Sequence, residues 1–123
     1  MPTILVVDDQ PAVLNALKQC FAMEPDLQII GAAEDGAQAL ALVRDLRPDI
    51  LLTDIKMPFM NGIVATRAVL QASPATKVVI LSVYDDPLTR SQALAAGAAA
   101  FVAKHDPAEV LIGKIRRVAS YLS

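Results

Sequence analysis

The fold class this sequence predicts is α/β: a doubly wound, five-stranded parallel sheet of strand order 2-1-3-4-5. Five short apolar runs rich in branched residues recur along the chain. Between them lie stretches whose apolar residues return every three or four positions, the spacing of a helix with one buried face. The connections are short, and parallel neighbours joined by right-handed crossovers place helices on both faces of a sheet. For five strands wound in this way, 2-1-3-4-5 is the common order.

The first strand is expected over Ile4 to Val7. Val13, Leu14, Leu17 and Phe21 follow at helical spacing, with Pro11 suited to the first helical position and Gln10 to the cap before it. Leu27 to Gly31 reads as the second strand, and Asp35-Gly36 marks the mouth of a helix carrying Ala39, Leu40, Val43 and Leu46. The third strand, Asp49 to Thr53, runs into a loop that ends at Asn61-Gly62, where the next helix opens. Lys77 to Ser82 is the fourth strand, and Asp86 then caps a helix that has Pro87 at its first position. The fifth, Ala99 to Ala103, precedes Asp106-Pro107, read as cap and first helical residue, with Glu109 completing a capping-box-like pair. Each strand is a continuous apolar run, as a strand covered on both faces should be.

At 123 residues the chain has room for one domain, 1–123. Hydrophobic residues make up 54%, but 21 residues are alanine, so much of that content is small side chain. Aromatics are 4% with no Trp, and 11 Lys and Arg face 13 Asp and Glu without any basic run, which argues against direct nucleic-acid binding. The single Cys20 excludes an internal disulfide and any multi-cysteine metal site, and suits a small apolar place on a helix face. No apolar run approaches the ~18 residues of a bilayer span. The start MPTILVVDD has no signal-peptide features, so a soluble cytoplasmic protein without a membrane partner is expected. Ile112 and Tyr84 read as exposed apolar residues.

Ligands of this fold class sit beyond the carboxyl ends of the strands where the winding reverses, between the first and third strands. The sequence puts polar residues immediately after its apolar runs: Asp8 and Asp9 after the first, Asp54 after the third, Ser82 at the end of the fourth, Lys104 after the fifth. Taken singly, each has an ordinary reading as a loop, turn or surface residue. Together they gather three carboxylates, a hydroxyl and an ammonium on one edge of one sheet. Close carboxylates repel and raise at least one pKa unless a cation intervenes. Mg²⁺ is the natural cation, since it takes few carboxylates, keeps waters and readily accepts a phosphate oxygen. The pattern suits a metal ion plus a phosphoryl group.

At these residues the chain resembles a known family, the receiver domain of two-component response regulators, over essentially its whole length. The resemblance rests on VVDD at Val6 to Asp9, DIKMPFMNG at Asp54 to Gly62, LS at Leu81 and Ser82, and AGAAAFVAK at Ala96 to Lys104. The tail KIRRVASYLS is similar to the end of the receiver in NarL/LuxR-type regulators. The resemblance implies a flavodoxin-like (βα)5 receiver fold with Asp54 as phosphoacceptor. It makes Asp8, Asp9, Asp54 and the main-chain carbonyl of Lys56 the Mg²⁺ site, with Mn²⁺ as a substitute ion. Ser82 becomes the switch hydroxyl and Lys104 the phosphate-contacting lysine. Phe101 falls where the family keeps an aromatic switch residue, a place that an ordinary core aromatic would equally fill.

By the same resemblance the partner is a sensor histidine kinase, phosphorylation can bring two copies together, and DNA is reached only through a C-terminal helix-turn-helix domain. That domain is not in this sequence, so an excised receiver is expected, with a stand-alone phosphorelay receiver as the alternative. The resemblance implies a signalling domain rather than an enzyme, one that takes phosphate from small donors and loses it slowly. The family often has Pro, and a cis bond, after the lysine. His105 stands there instead, and a cis bond before a non-proline residue costs roughly 2.5 to 4 kcal/mol.

Two other classes fit the sequence less well, although a flavin-binding electron carrier shares the expected strand order. Phosphatases of the haloacid dehalogenase type also form an aspartyl phosphate, but they carry DxDx[TV] after the first strand, where this chain has Asp8-Asp9-Gln10-Pro11. A flavin-binding electron carrier needs a hydroxyl- and glycine-rich phosphate loop at the same place, and VVDDQPA would repel a phosphate.

Overall fold

The computed structural model describes residues 1–55, 61–83 and 86–120. Strands and helices alternate: β1 (Thr3–Val7), α1 (Pro11–Ala22), β2 (Gln28–Ala33), α2 (Gly36–Leu46), β3 (Ile50–Thr53), α3 (Gly62–Ala72), β4 (Lys77–Ser82), α4 (Pro87–Ala95), β5 (Ala100–Ala103) and α5 (Ala108–Ala119). The strands form one sheet in the order β2-β1-β3-β4-β5, and every neighbouring pair is parallel. The predicted topology is the observed one.

Successive side chains of a strand point to opposite faces, and that alternation divides the core in two. Ile4, Val6, Leu52, Val79, Leu81 and Val102 meet α1 and α5 through Leu14, Phe21, Leu111 and Ile115. Leu5, Val7, Leu51, Val78, Ile80 and Phe101 meet α2, α3 and α4 through Val43, Val69 and Ala93. Both faces of the central strands are therefore dry. The polar residues Asp8, Asp54 and Ser82 lie at the carboxyl ends of these strands and are buried there.

Three helix starts follow the expected chemistry. Asp35 Oδ1 accepts from the Gln38 amide at 2.8 Å, Asn61 Oδ1 accepts from the amides of Ile63 and Val64 at 3.0 and 2.9 Å, and Asp86 Oδ2 accepts from Thr89 at 3.0 Å. Each satisfies donors that a helix leaves unpaired at its start. Helix α4 ends before Gly97, whose φ of 110° favours a residue without a Cβ.

The start of α5 differs from expectation. Pro107 flanks the helix with φ −58° and ψ 152°, no side chain caps it, and Ala108 is the first helical residue. That extended ψ shifts the helix by one residue, and the Asp106 amide instead closes a turn on the Ala103 carbonyl at 3.0 Å. Strand β2 begins one residue later than expected and runs on to Ala33, because Ala32 and Ala33 pair with Val6 and Val7. Ile112 is not exposed: it packs in the α1–α5 core at 4% exposure. Tyr84 lies outside the described residues.

Candidate functional site

The carboxyl ends of β1 and β3 are adjacent because those strands pair from Ile4 with Ile50 to Val7 with Thr53. The register carries past the strands: the Asp54 amide donates to the Val7 carbonyl at 3.1 Å, and the Asp8 amide to the Ala33 carbonyl at 3.1 Å. Asp8 and Asp54 are thus held at backbone level, and they are 1% and 7% exposed, whereas Asp9 is exposed. The Gln10 amide donates to Asp8 Oδ1 at 3.0 Å, which fixes the turn into α1.

Lys104 follows β5 and reaches back across the ends of the strands. Its Nζ donates to Asp8 Oδ2 at 2.8 Å and to Asp54 Oδ2 at 2.9 Å. Burial works against the charge of this ammonium, but its hydrogen bonds to Asp8 and Asp54, with their negative charges, outweigh it and raise the lysine pKa above its ordinary value. The Lys104 amide donates to the Ser82 carbonyl at 2.7 Å, so the β4–β5 pairing that joins Ser82 to Ala103 also fixes the lysine backbone. Ser82 is fully buried at the end of β4. No peptide bond among the described residues is cis, in keeping with His105 in place of proline.

Asp8, Asp9 and Asp54 each bring one carboxylate oxygen within 4.8 Å of the others. All three donors are hard, anionic oxygens, the set suited to Mg²⁺ or Mn²⁺ and unlike the nitrogen and sulfur sets of zinc or copper. The residues present therefore fit a divalent cation. Lys56, whose carbonyl is expected to complete such a site, lies outside the described residues.

One structural residue of the site was not singled out from the sequence. Gly62, read there as a helix opener, lies against the backbone of Asp54 and Ile55: a Cβ at Gly62 would collide with the Asp54 carbonyl oxygen and come within 2.7 Å of Ile55 Cα. The Gly62 amide donates to the Ile55 carbonyl at 2.6 Å. The N-terminus of α3 is docked directly behind Asp54, and only glycine permits the approach. A glycine directly after a capping asparagine, at the end of the loop that begins with Asp54, is the signal that could have found it.

Phe101 is buried in the core of the α2–α4 side at 3% exposure, with the Arg90 guanidinium 4.8 Å from its ring centroid.

The family model for the response regulator receiver domain matches residues 4–116. The chain belongs to this family. It is 37% identical over 116 residues to the transcriptional regulatory protein DegU of Brevibacillus brevis, covering 94% of this chain and 49% of the relative. Response regulator GacA of Pseudomonas aeruginosa is 36% identical over 118 residues, 96% of this chain and 55% of the relative. The chain thus spans about half the length of these curated relatives. Among solved structures, the signal receiver domain of the putative response regulator NarL from Mycobacterium tuberculosis superposes with a TM-score of 0.92 at 30% identity, covering 98% of this chain and 97% of that one. The response regulator domain of Thermotoga maritima CheB gives 0.90, also at 30% identity, with 98% and 97% covered. This receiver domain has no helix, among the described residues, long and apolar enough to cross a membrane.

Proposed function

We propose that this receiver domain accepts a phosphoryl group on Asp54 from a sensor histidine kinase and relays it as a change of surface. The observation that carries the reading is the contact of the Lys104 ammonium with Asp54 Oδ2, beside the carboxylates of Asp8 and Asp9. A carboxylate held next to a lysine ammonium can attack phosphorus without building up charge that nothing offsets. In the transfer an Asp54 oxygen forms the new O–P bond, the N–P bond of the kinase phosphohistidine breaks, and the leaving imidazole nitrogen keeps the electron pair. Lys104 can pass one hydrogen bond from Asp54 to a phosphoryl oxygen while its bond to Asp8 keeps it in place.

Asp8, Asp9 and Asp54 would hold Mg²⁺, which when bound neutralises charge on the phosphoryl oxygens. Ser82, at the end of β4 beside the Lys104 backbone, is the hydroxyl that would follow the phosphoryl group, and Phe101 the aromatic that would respond to it. The name of DegU, a transcriptional regulatory protein, supports an output through transcription; DNA would be contacted by an attached effector domain, and two copies would pair on phosphorylation. A relative 41% identical over 105 residues, from Anaeromyxobacter dehalogenans, is instead a protein-glutamate methylesterase/protein-glutamine glutaminase. An effector acting on protein is therefore the second reading.

The test is stoichiometry. With acetyl phosphate and Mg²⁺ the protein should gain one phosphoryl group per chain and release acetate only slowly thereafter, and Asp54→Asn should gain none. Sustained turnover of many donors per chain, or equal labelling of Asp54→Asn, contradicts the proposal.

A further inference from the structure

Outside the acidic site, the polar side chains buried among the described residues are Thr53, Thr66, Ser73 and Thr76. Burying a hydroxyl costs free energy unless a hydrogen bond replaces its water, so each bond shows what the hydroxyl holds. Three of the four are local braces. Ser73 and Thr76 join at 2.8 Å and Thr76 donates to the Pro48 carbonyl, which ties the turn after α3 to the segment before β3. Thr66 donates to the Gly62 carbonyl inside α3 at 2.6 Å. Thr53 differs in its acceptor: its Oγ1 donates to the main-chain carbonyl of Asp54 at 3.0 Å.

Packing alone does not ask for a hydroxyl at this position. Thr53 ends β3 opposite Val7 of β1 and Ile80 of β4, both in the apolar cluster facing α2, α3 and α4, and valine shares the branched shape of threonine. What valine lacks is the donor to Asp54. With that donor, both main-chain polar groups of Asp54 are tied, the amide to the Val7 carbonyl at 3.1 Å and the carbonyl to Thr53. The next carbonyl is tied too, since that of Ile55 accepts from the Gly62 amide. The torsions on either side of the Asp54 Cα are thereby set, and with them the direction in which the carboxylate leaves the backbone toward Lys104 Nζ, 2.9 Å away.

We propose that Thr53 is a positioning residue for phosphoryl transfer: its hydroxyl, by holding the Asp54 carbonyl, aims the Asp54 carboxylate at the incoming phosphorus. The inference rests on the reading of Asp54 as the phosphoacceptor. A misplacement of ~1 Å costs about 10²-fold in rate, and losing one of two backbone ties permits a smaller displacement, so a loss of about tenfold is expected. Buried at 1% exposure, Thr53 does not meet the phosphoryl donor. The loss therefore falls on the maximal rate and not on the donor concentration that half-saturates it.

The experiment follows the mass of the intact chain over time with acetyl phosphate and Mg²⁺, at a temperature where circular dichroism shows every variant folded. In this reaction an Asp54 oxygen bonds phosphorus as the acetyl O–P bond breaks, and acetate leaves with the electron pair. At saturating donor Thr53→Val should gain its phosphoryl group about tenfold more slowly than wild type, and Thr53→Ser, which keeps the hydroxyl, should stay within about twofold. Thr53→Ser gives up a buried methyl and should be less stable than wild type in urea, so its retained rate separates the role of the hydroxyl from stability. Thr53→Ala lacks both methyl and hydroxyl, should be as slow as Thr53→Val, and supplies the comparison with Thr53→Ser if the valine variant does not fold. Wild-type rates in Thr53→Val and Thr53→Ala, equal slowing of Thr53→Ser, or a loss that more donor recovers would overturn the inference while leaving Asp54 as acceptor. Labelling of Asp54→Asn as fast as wild type would instead overturn the phosphoacceptor reading, and the inference with it.

Discussion

Asp8 and Lys104 stand 96 residues apart in sequence and 2.8 Å apart in the fold, and the same ammonium bonds Asp54. Replacing Lys104 by Met leaves Asp8, at 1% exposure, without its counter-charge. The expected loss is about 1 to 3 kcal/mol, the cost of a buried polar group deprived of its partner. Its pH dependence has a definite sign. The folded lysine pKa is raised, so its contribution is complete below the unfolded value of roughly 10.4 and disappears as pH rises through the folded one. Urea titrations should find a constant gap between wild type and Lys104→Met through neutral and mildly alkaline pH, closing only in strong alkali. A gap that closes near neutral pH contradicts the ion pair. Asp9 behaves in the opposite way, because its carboxylate adds to a crowded acidic cluster. With chelator present Asp9→Ala should melt at a higher temperature than wild type, and Mg²⁺ should stabilise it less. Residue chemistry alone identified the five polar positions, but not that Lys104 bridges two of them: a strand order says which ends are neighbours, not how far a flexible side chain reaches.

Among the elements, α3 is the one that shapes the site without contributing a reactive group. Its first residue, Gly62, abuts the backbone that carries Asp54. Gly62→Ala must therefore push α3 away from Ile55 or displace Asp54, at a cost of about 1 to 3 kcal/mol, as overpacking does. Phosphorylation by acetyl phosphate should slow as well, and in a variant stable enough to remain folded at the assay temperature. A Gly62→Ala protein with wild-type stability and rate would show that the close approach is not required. The Asn61-Gly62 pair was legible as a helix start because capping is local chemistry. The collision behind it was not, since it involves the carbonyl of Asp54, a residue placed by strand pairing rather than by local chemistry. Boundaries missed elsewhere have similar causes. Ala32 and Ala33 become strand by pairing with β1, a non-local matter that alanine does not advertise, and the cap at Asp106 failed because Pro107 adopts an extended ψ rather than a helical one.

At the scale of the whole molecule, the two helix layers cover the faces of one parallel sheet, and the acidic cluster lies at the carboxyl ends of its paired strands β1 and β3. This much was legible in the sequence, because continuous apolar strands alternating with amphipathic helices admit few topologies. Less legible was the place of Phe101, whose burial depends on packing against residues of other strands and helices rather than on a local pattern. Phe101→Ala should cost about 3 to 5 kcal/mol, measured by denaturant unfolding, if the ring belongs to the core as its burial indicates. Shifting a two-state balance from 1:99 to 99:1 takes roughly 5.5 kcal/mol of differential interaction, more than one charge-assisted hydrogen bond of about 1.5 to 3 kcal/mol supplies. On the proposed function, Ser82 and Lys104 would therefore both be needed. Beryllofluoride should alter amide exchange in α4, β5 and α5 of the wild type and much less in Ser82→Ala; unchanged exchange in the wild type would contradict the switch.

The central claim is that Asp54 is the residue phosphorylated, and locating the acyl phosphate tests it most directly. Borohydride reduces an aspartyl phosphate to homoserine, so reduction after treatment with acetyl phosphate and Mg²⁺, followed by peptide mass mapping, marks the acceptor. Homoserine at position 54 and at no other aspartate is the predicted result, and homoserine at position 8 or 9 with position 54 unmodified would contradict it.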